Sequence, residues 1–169
     1  MSIVPDSVTI YTGSSAQYLL LFMHHIAIMK KSWGLTQKIL SGEKIIESRW
    51  YMSKSVPWDR IKPGDMVYFK DSGEPVTIKA EVFKVLQFSD LTPQQVREIL
   101  DTYGKDIGID QEDISEYVEM CKDKKYCILI FIKNAKLIQP FHINKKGFGA
   151  MAAWITVNTI NDIRVVYRQ

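Results

Sequence analysis

The sequence predicts an α+β fold, in which a small, strongly bent sheet or barrel carries helices packed at its ends. Two observations predict it. Most apolar segments have the length and composition of strands, whereas helical patterns occur once early in the chain and twice near its middle. In addition, the 169 residues are 46% hydrophobic and 24% charged, which is the balance of one soluble domain with its own core.

The beginning of the chain is predicted to be an extension followed by the first strand. Residues 1–22 form an N-terminal extension of uncertain relevance, and Met23 is a candidate for the true start of the native chain. The domain then covers residues 23–169, and its first strand covers residues 24–29. The apolar run at residues 16–29 is shorter than the roughly 20 residues that cross a bilayer, and no cationic segment precedes it. We therefore expect neither a membrane span nor a secretory signal.

Two segments of the extension carry local signals of their own. Residues 8–11 are candidates for a short strand, and residues 18–22 are candidates for an apolar cover on the barrel. We nevertheless expect a chain that starts at Met23 to fold and to keep ligand binding, because the geometry of Lys44, Glu47 and Arg49 does not depend on the extension.

The first helix is predicted at residues 33–41, with Ser32 as its N-cap and Gly42 as the left-handed residue that ends it. Three strands follow, separated by turn residues. These strands cover residues 45–51, 66–69 and 76–88.

The middle of the chain is predicted to be helical. Thr92 and Gln95 have the spacing of a capping box around a proline at the first helical position, and Gly104 is predicted to end this helix. Asp110 is predicted to open another helix. The last predicted strands cover residues 126–132, which form a continuous apolar run, 153–157 and 163–167.

The cysteines and histidines give no sign of a metal site or a cofactor. Cys121 and Cys127 lack the spacing of zinc ligands and lie among apolar residues, so we expect reduced, buried thiols in a cytoplasmic protein. The three histidines lack metal-binding spacing as well. The net charge of +3 is compatible with a nucleic-acid partner but does not argue for one.

The segment GEKIIESRWY at residues 42–51 is unusual because charged residues interrupt a strand pattern. Strict alternation places Glu47 and Arg49 on one face and Lys44, Ser48 and Trp50 on the other. One interpretation is a solvent-facing charge pair that stabilises an exposed strand by a few tenths of a kcal/mol. The other is a ligand site, which Lys44 and Glu47 share only if the strand begins after Lys44.

Aromatic and cationic residues cluster around this strand. Aromatic rings stack on bases and cations meet phosphates, so the mixture favours single-stranded nucleic acid or a free base as the ligand. The alternative is that the tryptophans Trp33 and Trp50 belong to the core. The cluster comprises Trp33, Trp50, Tyr51, Trp58, Lys44, Arg49, Lys54 and Arg60.

A second candidate wall of the site lies at residues 144–154. Glycines on either side of Phe148 permit a close approach of the backbone to a ligand, and Lys145 and Lys146 supply positive charge. The alternative is an ordinary loop with solvated lysines.

The order Gly42, Lys44, Glu47, Arg49, followed by the turn at Gly64-Asp65, resembles the pattern of the ASCH domain family, a branch of the PUA-like superfold. The resemblance is specific over residues 41–70 and extends in outline over residues 24–166.

This resemblance implies a PUA-like small β-barrel with peripheral helices, and a cleft lined by the strand of Lys44, Glu47 and Arg49, with Lys44 at its rim. It implies RNA or a modified nucleoside as the partner. We also expect a monomer and no membrane partner. The expected binding residues are Trp33, Ser48, Arg49, Trp50, Lys145 and Phe148.

Two alternatives to simple binding stay open. In the amidohydrolase branch of the family, which acts on N4-acylated cytidine compounds, a lysine matching Lys44 activates a threonine that falls where this chain has Glu47. Glutamate cannot supply the same alkoxide, but Lys44 as general base, with Glu47, remains a candidate catalytic pair for an amidohydrolase or a ribonuclease. A protein-interaction module is the further alternative.

Overall fold

The computed structural model of the protein describes residues 8–10 and 19–166, with side chains for residues 21–166. The strands are β1 (Val8–Ile10), β2 (Leu19–Leu21), β3 (His24–Met29), β4 (Ile46–Tyr51), β5 (Met66–Asp71), β6 (Val76–Phe88), β7 (Tyr126–Phe141) and β8 (Trp154–Val157). The helices are α1 (Leu35–Ser41), α2 (Pro93–Ile107) and α3 (Ile114–Cys121).

Six strands form one curled sheet, a half-barrel, in the order β4-β7-β6-β5-β3-β8. Only β3 and β5 pair in parallel. The long pair β6–β7 contains three register shifts, and such bulges bend a sheet strongly. The predicted α+β class is confirmed. None of the helices in the described residues is long and apolar enough to cross a membrane.

Strand β7 divides the core into two layers. Ile128 and Ile130 face the interior of the half-barrel, whereas Cys127 and Leu129 face α2 and α3 on the outside. Residues 127–130 are buried on both faces, as the continuous apolar run predicted. The strand extends beyond residue 132 to Phe141, and its second half was missed because most of its side chains there are exposed.

The start of α1 differs from the prediction. Lys31–Trp33 form a 3-10 turn, and Gly34, at a φ of 62°, stands at the N-cap of α1 without a side-chain cap. Ser32 is therefore not the cap, because the left-handed Gly34 interrupts the helical path and α1 begins only at Leu35. The predicted end is confirmed, since Gly42 has a φ of 81°.

The end of α2 also differs from the prediction. The capping box of Thr92 and Gln95 is present, but Gly104 lies inside the helix, which ends at Gly108 with a φ of 92°. A Cβ atom on Gly104 would lie 2.3 Å from Cδ1 of Ile114, so this glycine permits the close packing of α3 against α2. Asp110 precedes a 3-10 turn and does not cap α3.

The strand predicted at residues 163–167 is not formed in its described part. Ile160–Asp162 form a 3-10 turn with its own capping box at Thr159, and this turn leaves a single isolated bridge between Ile143 and Arg164. Residue 167 lies outside the described residues.

Parts of the predicted extension contact the half-barrel. The short strand predicted at residues 8–11 is present as β1 at Val8–Ile10, and it pairs with β2. Residue 11 lies outside the described residues. The ring of Phe22 packs on Gly64, where a Cβ atom would lie 2.1 Å from Phe22 Cε1. Lys62 Nζ donates to the Leu21 carbonyl at 3.0 Å. The domain boundary at residue 23 stays a prediction.

Replacing Gly64 with alanine tests the Phe22 contact. Gly64 has a φ of 93° and Gly73 a φ of 82°, but no atom lies within 4 Å of a Cβ built on Gly73. Gly64→Ala and Gly73→Ala therefore share the backbone strain, and only the first displaces Phe22. We expect Gly64→Ala to lower the free energy of unfolding by about 1 kcal/mol more than Gly73→Ala in urea unfolding. Equal losses would show that Phe22 does not pack on Gly64 in solution.

Candidate functional site

The candidate site begins where α1 turns into β4. After Gly42 ends the helix, the Lys44 amide donates to the Lys38 carbonyl and the Ile45 amide donates to the Asp106 carbonyl, both at 2.9 Å. These bonds keep Lys44 out of the strand, which starts at Ile46. The alternation rule thus does not apply to Lys44, and its side chain lies on the same side as Glu47.

Lys44 lies at the floor of the site and not at its rim, with only 2% of the residue exposed. Its ammonium group donates to the carbonyls of Ile46, at 2.7 Å, and Ile107, at 2.8 Å, and lies 3.1 Å from Glu47 Oε2. Ile107 is the last residue of α2, so the cation also meets the negative end of that helix. Gly108 permits this approach, because a Cβ atom there would lie 3.1 Å from Lys44 Cβ.

Glu47 is the carboxylate between two cations, and 2% of the residue is exposed. Oε1 accepts from Arg49 Nε at 2.7 Å. Oε2 is close enough to Lys44 for an ion pair, but its geometry is not that of a hydrogen bond, and no other described group donates to it. Burial by itself raises the pKa of the Glu47 carboxyl, but the charges of Lys44 and Arg49, together with the hydrogen bond from Arg49, outweigh burial and hold this pKa below its ordinary value.

Burial lowers the pKa of the Lys44 ammonium, and the charge of Glu47 opposes that change. Because two cations flank one buried carboxylate, Glu47 is ionised throughout the neutral range.

The guanidinium of Arg49 reaches from the edge strand β4 to the opposite end of the sheet. Nη1 donates to the Ala153 carbonyl at 3.2 Å, just before β8, and Nη2 lies 3.5 Å from the Ile28 carbonyl of β3. The Trp154 ring lies under the guanidinium, 5.1 Å from its carbon. Arg49 therefore links the two ends of the half-barrel through one side chain.

A buried network holds Trp154 in place. Its indole Nε1 donates to His25 Nδ1 at 3.2 Å, and His25 Nε2 lies 3.1 Å from Asp65 Oδ2. Since an indole N–H can only donate, Nδ1 is the acceptor and Nε2 carries the proton toward Asp65. Asp65 also accepts from the amides of Met23 and Lys62, both at 2.9 Å.

Asp65, the acidic residue of the Gly64-Asp65 turn, is thus ionised. Burial raises the pKa of its carboxyl, but the hydrogen bonds of His25, Met23 and Lys62 outweigh burial and lower it overall. The Gly64-Asp65 turn contacts the site indirectly: Asp65 binds His25, His25 accepts from Trp154, and the Trp154 ring lies under Arg49.

A cleft of about 460 Å³ opens above these charges. Trp33 and Tyr117 form one wall, with ring centroids 5.9 Å apart, and 42% of Trp33 is exposed. Trp50 and Lys124 also line the cleft. The volume is typical of small-molecule sites, and the floor combines an ionised acceptor with cationic donors.

The structure brings six of the predicted site residues into this cleft and leaves two outside it. The two outside are Lys145, whose ammonium donates to the carbonyls of Ala150 and Ala152 at 2.9 Å, and Phe148, which lines a separate cavity of about 470 Å³. The six in the cleft are Trp33, Lys44, Glu47, Ser48, Arg49 and Trp50.

Sequence reasoning missed two contributors to the site, Tyr117 and Ile107. Tyr117 lies in α3, and nothing in the sequence indicated that α3 and β4 border the same cleft. Ile107 acts through its carbonyl, which any residue would supply. Trp154 ends the second candidate wall predicted at residues 144–154, but its position under Arg49 follows from the curl of the sheet and was not predicted.

No protein-family model matches this chain, and no curated protein matches it. Among solved structures, the ASCH protein from Zymomonas mobilis matches with a TM-score of 0.50 and 13% identity, over 70% of this chain and 73% of that chain. Two point mutants of that protein each match with a TM-score of 0.51 and 13% identity over 70% of this chain, covering 75% and 73% of theirs. The chain therefore has an ASCH-like, PUA-like fold, as the resemblance implied.

Neutralising Glu47 tests the buried charge pair. Glu47→Gln would leave buried Lys44 and partly buried Arg49 without their anion, so we expect a loss of about 3–5 kcal/mol in the free energy of unfolding. Glu43→Gln is the matched control, because Glu43 is exposed and its carboxylate accepts from the Ser41 hydroxyl, and we expect a change within about 0.5 kcal/mol. Similar small effects of both variants in chemical denaturation would contradict the ionised arrangement.

The pH dependence of stability gives a second test. Because the pKa of Glu47 is lower in the folded protein than its ordinary value of 4.5, ionised Glu47 stabilises the fold fully above that value. This contribution is lost as pH falls below 4.5 toward the folded value. The pKa of Asp65 is also lower in the folded protein than its ordinary value, so the stability that ionised Asp65 contributes is likewise lost as pH falls. We therefore expect the wild type to lose more stability than Glu47→Gln over this acidic interval, and parallel curves would contradict it.

Proposed function

We propose that the protein binds RNA or a nucleoside in this cleft. The observation that carries the proposal is the position of an ionised, buried carboxylate and a guanidinium beneath aromatic walls. A base offers flat faces for the walls and hydrogen-bonding groups at its edge for Glu47 and Arg49. A purely apolar ligand would cover the charged floor without forming hydrogen bonds to it, at a cost in free energy.

The aromatic walls support a stacked ring. Trp33 is 42% exposed, which is a high value for a tryptophan beside a cavity and favours a role in binding over one in the core. Its ring faces Tyr117 at an interplanar angle of 56°, so a base entering the cleft would meet the face of at least one ring. Stacking of this kind contributes about 1–3 kcal/mol per base.

The charges near the mouth favour one path for a phosphate chain. Lys124 lines the cleft itself. On the other side of Trp33 and Tyr117, an adjoining groove of about 290 Å³ contains Asp113 and Glu116. An RNA backbone would be repelled there, so a bound strand is expected to leave the cleft on the side of Lys124.

The geometry favours binding over hydrolysis with Lys44 as general base. A base needs a free lone pair within reach of the substrate. The Lys44 ammonium instead donates to the carbonyls of Ile46 and Ile107 and pairs with Glu47, below the surface of the cleft. These contacts support a structural and electrostatic role for Lys44.

Removal of the Trp33 ring tests the proposal. We expect Trp33→Ala to weaken the binding of nucleosides or short single-stranded RNA by about 10- to 100-fold, which corresponds to the loss of one stacked base. Phe148→Ala is the matched control, because Phe148 is similarly exposed, at 38%, but lines the other cavity. Calorimetry with a set of nucleosides and oligonucleotides measures both variants.

Two results would contradict the proposal. One is the absence of binding by the wild type to every nucleoside and oligonucleotide tested. The other is an equal effect of Trp33→Ala and Phe148→Ala on nucleoside affinity. For RNA, a steep loss of affinity with added salt is expected in addition, since bound phosphates release counterions.

A further inference from the structure

Cations form a line on the outer face of β6 and β7, away from the interior of the half-barrel. Ile78, Ala80 and Val82 of β6 face the interior, so the residues that alternate with them face outward. Residues directly opposite each other in an antiparallel pair share a face. Beyond a register shift, the outer face continues with Phe131, whose ring packs against Tyr103 of α2. The outward pairs are Lys79 with Lys136, Glu81 with Lys133, and Lys84 with Phe131.

Arg164 extends this line at the end of Lys79. The Lys79 ammonium lies 5.6 Å from the centroid of the Tyr68 ring, and Tyr68 packs against Phe141 at a centroid distance of 6.2 Å. The Arg164 guanidinium in turn lies 4.3 Å from the centroid of the Phe141 ring. We call the five cations of this line the outer strip: Lys79, Lys84, Lys133, Lys136 and Arg164.

Most of the charge of the outer strip is not neutralised. Glu81 lies on the line and pairs with Lys133 at 2.9 Å, and within the described part of the chain the other four cations form no ion pair. The rings beside Lys79, Lys84 and Arg164 hold these cations by cation–π contacts, which leave their charge accessible to an anion. With five cations and one carboxylate, the line carries more net positive charge than the whole chain, whose net charge is +3.

The pair Lys79–Lys136 indicates that this charge serves a partner. Like charges directly opposite each other on two strands destabilise a sheet, and a bound anion removes that repulsion. Charge is also separated along the chain, because residues 124–161 contain no aspartate or glutamate, whereas residues 110–119 contain five carboxylates and no cation. A surface of one sign attracts partners of the opposite sign. The outer strip is therefore complementary to a polyanion.

We propose that the outer strip binds the phosphate backbone of a nucleic acid, without reading its bases, at a surface separate from the cleft. None of the five cations is among the described residues that line the cleft, so this inference does not rest on the proposed nucleoside binding. The stretch from Lys79 to Lys84 is about 16 Å long. This length covers about four phosphates of one strand at roughly 3.4 Å each.

The residue type favours a nucleic acid over an acidic protein segment. Lysine is depleted in protein–protein interfaces, since its ammonium is strongly hydrated and its flexible stem loses entropy when it is fixed. A phosphate backbone accepts lysines as point charges, and its binding is driven by the release of counterions. Four of the five cations of the outer strip are lysines, and Lys84, Lys133 and Lys136 are exposed.

The salt dependence of binding to a short DNA duplex tests the inference. The paired bases of a duplex are stacked and do not enter the cleft, so the duplex reports on backbone binding. The variant is Lys84→Gln/Lys136→Gln, and fluorescence anisotropy with a labelled duplex measures its affinity at several salt concentrations. The logarithm of affinity falls with the logarithm of salt by about 0.9 for each neutralised phosphate. We therefore expect this slope to fall by about two, and the affinity to fall about tenfold at low salt.

Lys54→Gln/Lys122→Gln is the matched control. It removes the same net charge from segments outside β6 and β7, since Lys54 follows β4 and Lys122 follows α3. We expect its slope to differ from that of the wild type by less than about one. The melting temperatures of both variants confirm that they are folded. If Lys84→Gln/Lys136→Gln does not fold, the single variant Lys136→Gln decides the test, with an expected fall in slope of about one.

Four results would overturn the inference. They are the absence of duplex binding by the wild type at low salt, equal slopes for the variant and its control, and displacement of the duplex by polyglutamate at equal charge concentration, which would indicate an acidic protein partner. The fourth is a loss of duplex affinity in Trp33→Ala as large as in the strip variant, which would place duplex binding at the cleft. Titrations with nucleosides decide the proposed function separately, because a nucleoside carries no phosphate.

Discussion

The buried carboxylate of Glu47 is the constraint on which the site and much of the sheet depend. It holds Lys44 on one side and Arg49 on the other, and each cation in turn joins distant parts of the chain. Lys44 ties the end of α2 to β4, and Arg49 ties β4 to the region of β3 and β8. Without the central anion, buried Lys44 and partly buried Arg49 would repel each other in a medium of low dielectric constant.

A second ionised group, Asp65, stabilises this arrangement without lining the cleft. Asp65 fixes His25, His25 orients Trp154, and the Trp154 ring lies under the guanidinium of Arg49. Each contact is directional, so the position of Arg49 is set by the network and not by packing alone. This explains why an acidic residue follows Gly64 in the turn that leads into β5, although that turn does not line the cleft.

Burial of these charges costs desolvation free energy, which indicates a role other than stabilisation of the fold. An apolar core of equal volume would be at least as stable as a buried ion group, so stability does not account for the arrangement. The charged floor lies instead below an aromatic-walled cleft, where binding of a polar, planar ligand is proposed. The ionised carboxylate for which a loss of stability in acid is expected is thus also part of the proposed site.

The sequence by itself determined the elements with strong local signals and the residues of the charged strand. The capping box of Thr92, the helix end at Gly42 and the buried run after Tyr126 follow from local chemistry, and the structure contains all three. Local patterns failed where a contact distant in sequence decides the outcome. Gly104 has the signature of a helix end, but Ile114 packs on it and the helix continues.

The same distinction applies to the site. Alternation places Lys44 and Glu47 on opposite faces, and only the backbone bonds of Lys44 and Ile45 to α1 and α2 bring them together. Tyr117 lines the cleft because α3 and β4 border the same cavity, and Trp154 lies under Arg49 because the sheet curls until Arg49 meets the residues before β8. The sequence thus determined which side chains carry the chemistry, and tertiary structure decided which of them meet, because that depends on contacts between residues far apart in the chain.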